Sequence, residues 1–302
     1  MSVTVRVPAK VNVQLAVGAA RADGFHELAN VFLAVGLYDE VTVTWADELR
    51  VTCVGPDARK VPLDRTNLAA RAAVTLAERY GRTPNVHLHI VKDIPVAGGM
   101  AGGSADGAAA LLACDTLWGT RTRRDELLDI CAELGSDVPF SFVGGAALGV
   151  GRGEELTPVQ VGGTFHWVFA MASRGLSTPA VFREFDRLGE GTDIPEPIAS
   201  QELLDALAKG DADALAATVS NDLQPAALSL FPELADTLDA GRAAGALTAL
   251  VSGSGPTTAF LVRDPESAAK VAQALRASGT CRSVRTASGP APGATVVEVD
   301  QR

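Results

Sequence analysis

PVAGGMAGGSADGAAAL, residues Pro95 to Leu111, places glycines at 98, 99, 102 and 103, then Ser104 and an alanine-rich run with strong helix propensity. A loop without Cβ atoms lets backbone N–H groups close on a bulky anion. A helix opening directly after it adds unpaired N–H donors and a partial positive charge of about +0.5. A polyphosphate needs that combination. A helix cap alone would need a single glycine. The loop is not a Walker loop: Gly98 and Gly103 have the spacing, but Ser104 stands where lysine belongs. The dinucleotide fingerprint G-x-G-x-x-G also fails, because residues 100 and 101 are Met and Ala.

Working outward, Val86, Leu88 and Ile90 alternate with His87 and His89, a half-buried strand leading into the loop. The His-x-His pair reads as exposed strand residues rather than a metal site. Helices are expected over 66–80, with Thr66 as N-cap, over 104–118 and over 124–134. Ser2–Val7, Glu40–Trp45 and Leu49–Val54 read as strands. Residues 144–153 are glycine-rich and read as a turn into or out of a strand. From Pro179 to about Ala244 the pattern is largely helical. Strands follow at 247–251, 258–262, 284–286 and 295–299, with a helix over 265–277. The strand-rich half and the helical half predict two domains, 1–158 and 159–302, the first holding the phosphate loop.

Formal net charge is −10 over 302 residues, 47% of them apolar. That balance argues against nucleic acid and acidic membrane surfaces as partners. An anionic substrate must therefore be held by local donors. Cys53, Cys114, Cys131 and Cys281 form no CxxC pair, so neither zinc nor a disulfide framework is suggested. No signal-peptide core and no membrane-spanning run is visible, and the cytoplasm is the expected compartment.

Two further segments matter. Pro8-Ala9-Lys10-Val11-Asn12 ends the first strand, and Ser252-Gly253-Ser254-Gly255-Pro256-Thr257 is a tight turn between two strands. In this order and spacing, they and the loop resemble the GHMP kinase superfamily over nearly the whole chain. Its members share a P-A-K/R-x-N start, a P-x-G-x-G-L-G-S-S loop and a late G-S-G-P/G segment. Ala22-Asp23-Gly24-Phe25-His26, Leu134-Gly135-Ser136-Asp137-Val138-Pro139-Phe140 and Ser177-Thr178-Pro179-Ala180-Val181-Phe182 are similar to segments of one branch. That branch phosphorylates the 2-hydroxyl of a cytidyl-bearing methylerythritol in non-mevalonate isoprenoid precursor synthesis.

The resemblance implies an α+β fold of two domains with the active site in the cleft between them. It implies Asp137 as the base and Lys10 as its cationic partner. By position alone, Asp137 reads as a helix cap before Pro139 and Lys10 as a solvated charge. ATP is expected on Pro95, Val96, Ala97, Gly98, Gly99, Met100, Ala101, Gly102, Gly103, Ser104 and Ala105. Asn67, Leu68 and Lys92 are candidates beside the adenosine, although Lys92 reads equally as a surface charge. Asn12, Phe25, His26, Thr178 and Phe182 are expected on the cytidyl substrate. Mg²⁺ would bridge the phosphates, with no protein ligand assigned. The chain departs from the family where Ala97 and Ala101 replace glycines, Ala105 a serine, Asp106 an asparagine and Phe25 a tyrosine. The rivals are a homoserine or mevalonate kinase, which needs no base-reading segment, and a non-catalytic ATP-binding regulator, which needs neither Lys10 nor Asp137. Oligomeric state is left open.

Overall fold

The computed structural model describes residues 1–301. Its frame is two long antiparallel strands, β1 (Ser2–Ala20) and β2 (His26–Trp45). The alternation seen over Ser2–Val7 fades beyond it because every residue from Val7 to Leu15 is buried, Lys10, Asn12 and Gln14 among them. A strand buried on both faces shows no period of two. The register shifts between Pro8 and Ala9 and again between Asn12 and Gln14. Such irregularities re-aim side chains, and Lys10 lies between these two.

The first half continues with β3 (Arg50–Val54), α1 (Leu68–Arg79), β4 (Val86–Val91), α2 (Gly102–Trp118), α3 (Arg124–Leu134), α4 (Val138–Val143), β5 (Ala146–Val150) and β6 (Glu155–Pro158). Asn67, not Thr66, caps α1, its Oδ1 accepting from the Ala69 N–H. The short α4 lies where no helix was expected, and β5 is the strand expected beside the glycine-rich turn, paired with β6 in a hairpin. Helix α2 buries twelve of its seventeen residues, as an apolar helix without a polar face must. It packs on α1, β1 and β2. Gly107 lets α1 approach: a Cβ there would stand 3.3 Å from Leu68 Cβ.

The second half runs β7 (Phe165–Met171), α5 (Thr178–Leu188), α6 (Gln201–Lys209), α7 (Ala212–Thr218), β8 (Ser220–Asn221), α8 (Gln224–Leu230), α9 (Leu234–Ala243), β9 (Thr248–Val251), β10 (Thr258–Val262), α10 (Pro265–Ser278), β11 (Ser283–Gly289) and β12 (Thr295–Asp300). Strands β11, β7, β10 and β9 form a four-stranded sheet in that order. The other eight form the first sheet, in which β12 and β8 both pair with β1. The chain therefore does not divide once at residue 158: segments 220–221 and 295–300 return to the first sheet. One face of the second sheet, with Trp167, Phe169 and Leu261, joins the core of the first half. The opposite face, with Val168, Phe260 and Val262, packs under the helices of the second half. Among the described residues, no helix is long and apolar enough to cross a membrane.

Candidate active site

Three segments far apart in sequence meet in one place. The Lys10 N–H donates to the Met100 carbonyl at 3.3 Å, tying β1 to the glycine loop. The Thr257 N–H donates to Gly98 O, and the Ser252 hydroxyl donates to Gly99 O at 3.1 Å. Gly99 has φ +76°, and a Cβ on it would lie 2.0 Å from Ser252 O. A Cβ on Gly253 would lie 3.0 Å from Asn12 Oδ1 and 3.2 Å from Lys10 Nζ. Glycine at both positions is thus required by close approach and positive φ. Asn221 completes the clasp, donating through Nδ2 to Val251 O and Gly253 O.

Around this junction opens a cleft of about 620 Å³. Its floor is the start of α2 and the loop before it: Pro95, Ala97, Gly98, Gly99, Ala101, Gly102, Gly103 and Ser104 all line it. Ala97 and Ala101 hold φ of +53° and +59°. Those angles explain why glycine suits both positions, since an L side chain there costs roughly 1–2 kcal/mol. Three expected loop residues do not line the cleft. Met100 and Ala105 are fully buried and anchor the loop from behind, and Val96 lies outside the lining.

Lys10 Nζ donates to Asn12 Oδ1 at 2.6 Å and stands 3.8 Å from the Asp137 carboxylate. Asn12 in turn donates to Asn30 Oδ1. Burial pulls the Lys10 amine below the ordinary lysine range, while Asp137 pulls it back up. Asp137 occupies the N-cap position of α4 but makes no side-chain cap bond. Its carboxylate is 34% exposed and faces the cleft beside Ser136. The capping expectation is therefore met in position and not in chemistry: the carboxylate is left available.

At the other end, His26 is buried, its ring 4.8 Å from Phe182 and edge-on to Phe185. Phe25 is 49% exposed and carries the Arg152 guanidinium 5.3 Å above its ring. Thr178 lines the same wall, its hydroxyl 2.8 Å from that of Ser254. Leu68 also reaches the cleft.

Two adenosine candidates stand elsewhere. Asn67 is spent as a cap, its Nδ2 also donating to Pro62 O. Lys92 is neither a surface charge nor a lining residue. It is buried beneath the loop, donating to Asp39, Asp106 and the Gly102 carbonyl. Burial, with Asp39 adding and Lys92 opposing, pushes the Asp106 carboxyl up to about 8, and its Oδ1 has no partner.

Sequence reasoning missed Asn30, Arg152, Arg183 and Asp186, all cleft residues. The arginines supply the local cations that an acidic chain needs for an anionic ligand. Their only sequence signal was their nearness to Phe182 and to the 144–153 turn. His87 and His89 both hydrogen-bond the Thr52 hydroxyl. Among the described residues, no cluster of three or more His, Cys, Asp or Glu could hold a metal unaided.

A glycine-lined anion seat and a buried lysine paired with a carboxylate that caps nothing, on a two-sheet frame, define a small-molecule kinase of the GHMP class. Models of the GHMP kinases N terminal domain and the GHMP kinases C terminal domain match residues 67–145 and 203–281. The 4-diphosphocytidyl-2-C-methyl-D-erythritol kinase of Streptomyces avermitilis is 80% identical, covering 98% of this chain and all of the relative. The same-named enzyme of Mycolicibacterium smegmatis is 55% identical over 98% of this chain and 92% of its own length. A crystal structure of 4-(cytidine 5'-diphospho)-2C-methyl-D-erythritol kinase superposes with a TM-score of 0.75 at 33% identity, covering 94% of this chain and 98% of that one. A homoserine kinase from Cytophaga hutchinsonii has a TM-score of 0.73 at 21% identity over 98% and 97% of the two chains, a likeness of fold. The chain belongs to the 4-diphosphocytidyl-2-C-methyl-D-erythritol kinase family.

Proposed function

We infer that this chain transfers the γ-phosphoryl group of ATP to the 2-hydroxyl of 4-diphosphocytidyl-2-C-methyl-D-erythritol in isoprenoid precursor synthesis. The observation that carries the reading is the meeting of Lys10, the 95–104 loop and the 252–257 turn in one cleft, opposite an Asp137 carboxylate free of any capping bond. The backbone amides at the start of α2 would hold the phosphates, with the Ser104 hydroxyl beside them. Asp137 would take the proton of the attacking hydroxyl. The oxygen's electron pair forms the new bond to phosphorus as the bond to the β,γ-bridging oxygen breaks, leaving ADP. Lys10, 3.8 Å from Asp137, places its charge where the carboxylate and the transferring group meet. Mg²⁺ would arrive on the phosphates and neutralise part of their charge. Ser104 and Asp137 are the cleft residues suited to it, since the described residues hold no acidic cluster.

At the far end, Phe25 and Phe182 offer ring faces for a pyrimidine, and His26 offers a hydrogen-bonding edge. The four cysteines are unpaired, which suits a reducing cytoplasm. A coupled ADP-release assay with the cytidyl substrate, homoserine and mevalonate side by side tests the reading. The cytidyl compound should lead in kcat/KM by at least about 10²-fold. Preference for either other alcohol, or no ADP release from any, would refute it.

A further inference from the structure

Helix α5 sets Phe182 and Asp186 four residues apart, on one face. Both line the cleft, and both meet His26: the ring of Phe182 lies over the imidazole, and Asp186 Oδ1 is 2.7 Å from its Nε2. An ionised carboxylate accepts hydrogen bonds and donates none. The hydrogen of a neutral His26 is therefore held on Nε2. Nδ1 has no hydrogen-bond partner among the described residues. It is left as a bare acceptor, because a neutral imidazole carries one N–H and one lone pair. An acceptor suits the exocyclic amine of a cytosine. It opposes the carbonyl oxygen that uracil carries at the same ring position.

We propose that Asp186 is the positioning residue for cytidyl selectivity: it locks His26 in the Nε2–H form and so presents a lone pair to the base. This rests on the cytidyl reading above and adds to it the residue that sets the sense of the hydrogen bond. Asp186 is 41% exposed on α5, so its replacement should not disturb folding.

The test measures kcat/KM for the cytidyl substrate and for its uridyl analogue, together with ¹⁵N spectra of the imidazoles. Four histidines make the spectrum assignable, with His26→Ala identifying the signal. Wild-type protein should carry the proton on Nε2 and leave Nδ1 bare. Asp186→Asn offers a donor as readily as an acceptor. It should mix the two tautomers, raise KM for the cytidyl substrate but not for ATP, and cut the cytidyl-to-uridyl ratio roughly tenfold. Asp186→Glu, which keeps an acceptor, should retain most of the ratio. A wild-type His26 protonated on Nδ1 would overturn the proposal, as would an unchanged ratio in Asp186→Asn while His26→Ala loses it. If His26→Ala also leaves the ratio unchanged, the cytidyl reading falls and this proposal with it.

Discussion

Gly103→Ala separates a glycine kept for a ligand from one kept for the fold. Gly103 is the second residue of α2, exposed at the floor of the cleft. A Cβ built there meets nothing nearer than Leu68 Cδ1 at 3.9 Å, an ordinary contact. The fold therefore gives no reason for glycine. Alanine in a helix is worth about 0.5–1 kcal/mol over glycine, which for a chain of this size raises Tm by about 1–3 °C. The new methyl, however, would enter the space that phosphate oxygens need beside the backbone amides. Overpacking of one methyl costs about 1–3 kcal/mol, so KM for ATP should rise roughly 5- to 150-fold. The assays are differential scanning fluorimetry without nucleotide and steady-state kinetics with ATP varied. Gly99→Ala is the contrast. There the methyl would lie 2.0 Å from Ser252 O at φ +76°. A left-handed alanine and a backbone clash together cost about 2–4 kcal/mol, so this variant should lose stability first. A stabilised Gly103→Ala with unchanged KM for ATP would refute the phosphate seat. A destabilised one would refute the claim that the fold leaves this position free.

Asp137→Asn should lower kcat by roughly 10²–10⁴, while α4 keeps its start because the side chain caps nothing; near-normal turnover would remove it from the mechanism. Burial pushes the Asp106 carboxyl from the ordinary 3.8 up to about 8. A carboxyl whose folded pKa is raised contributes stability that is complete below about 4 and is lost as pH climbs through about 8. Asp106→Asn should therefore gain stability relative to wild type as pH rises from about 4 to about 8 and hold that gain above it in urea titrations, and parallel curves would show that the buried carboxyl does not titrate there. Ala101→Gly should relieve the left-handed strain and stabilise the protein by about 0.5–1 kcal/mol; a fall in Tm would show that the loop does not hold that angle in solution.

Local chemistry was readable where it is local. The glycine loop, α3 and β10 follow from propensity, caps and short period, and the structure places them as expected. What hid was non-local. Lys92 looks like any lysine near a strand end; only the fold brings Asp39 and Asp106 to it. Asp186 carries no motif and gains meaning only because α5 lies against His26. Asn67 was misplaced for the opposite reason, its cap being one residue from the residue expected, a shift that sequence rarely resolves. The inner half of β1 lost its alternation because both faces are covered.

Strand β12 pairs with residues 2–6 of β1. One edge of residues 2–6 is thus covered by a strand that lies far later in the sequence. Ser2 to Arg6 must wait with one edge bare until residue 300 emerges, and any truncation before Thr295 would leave that edge open to neighbouring molecules.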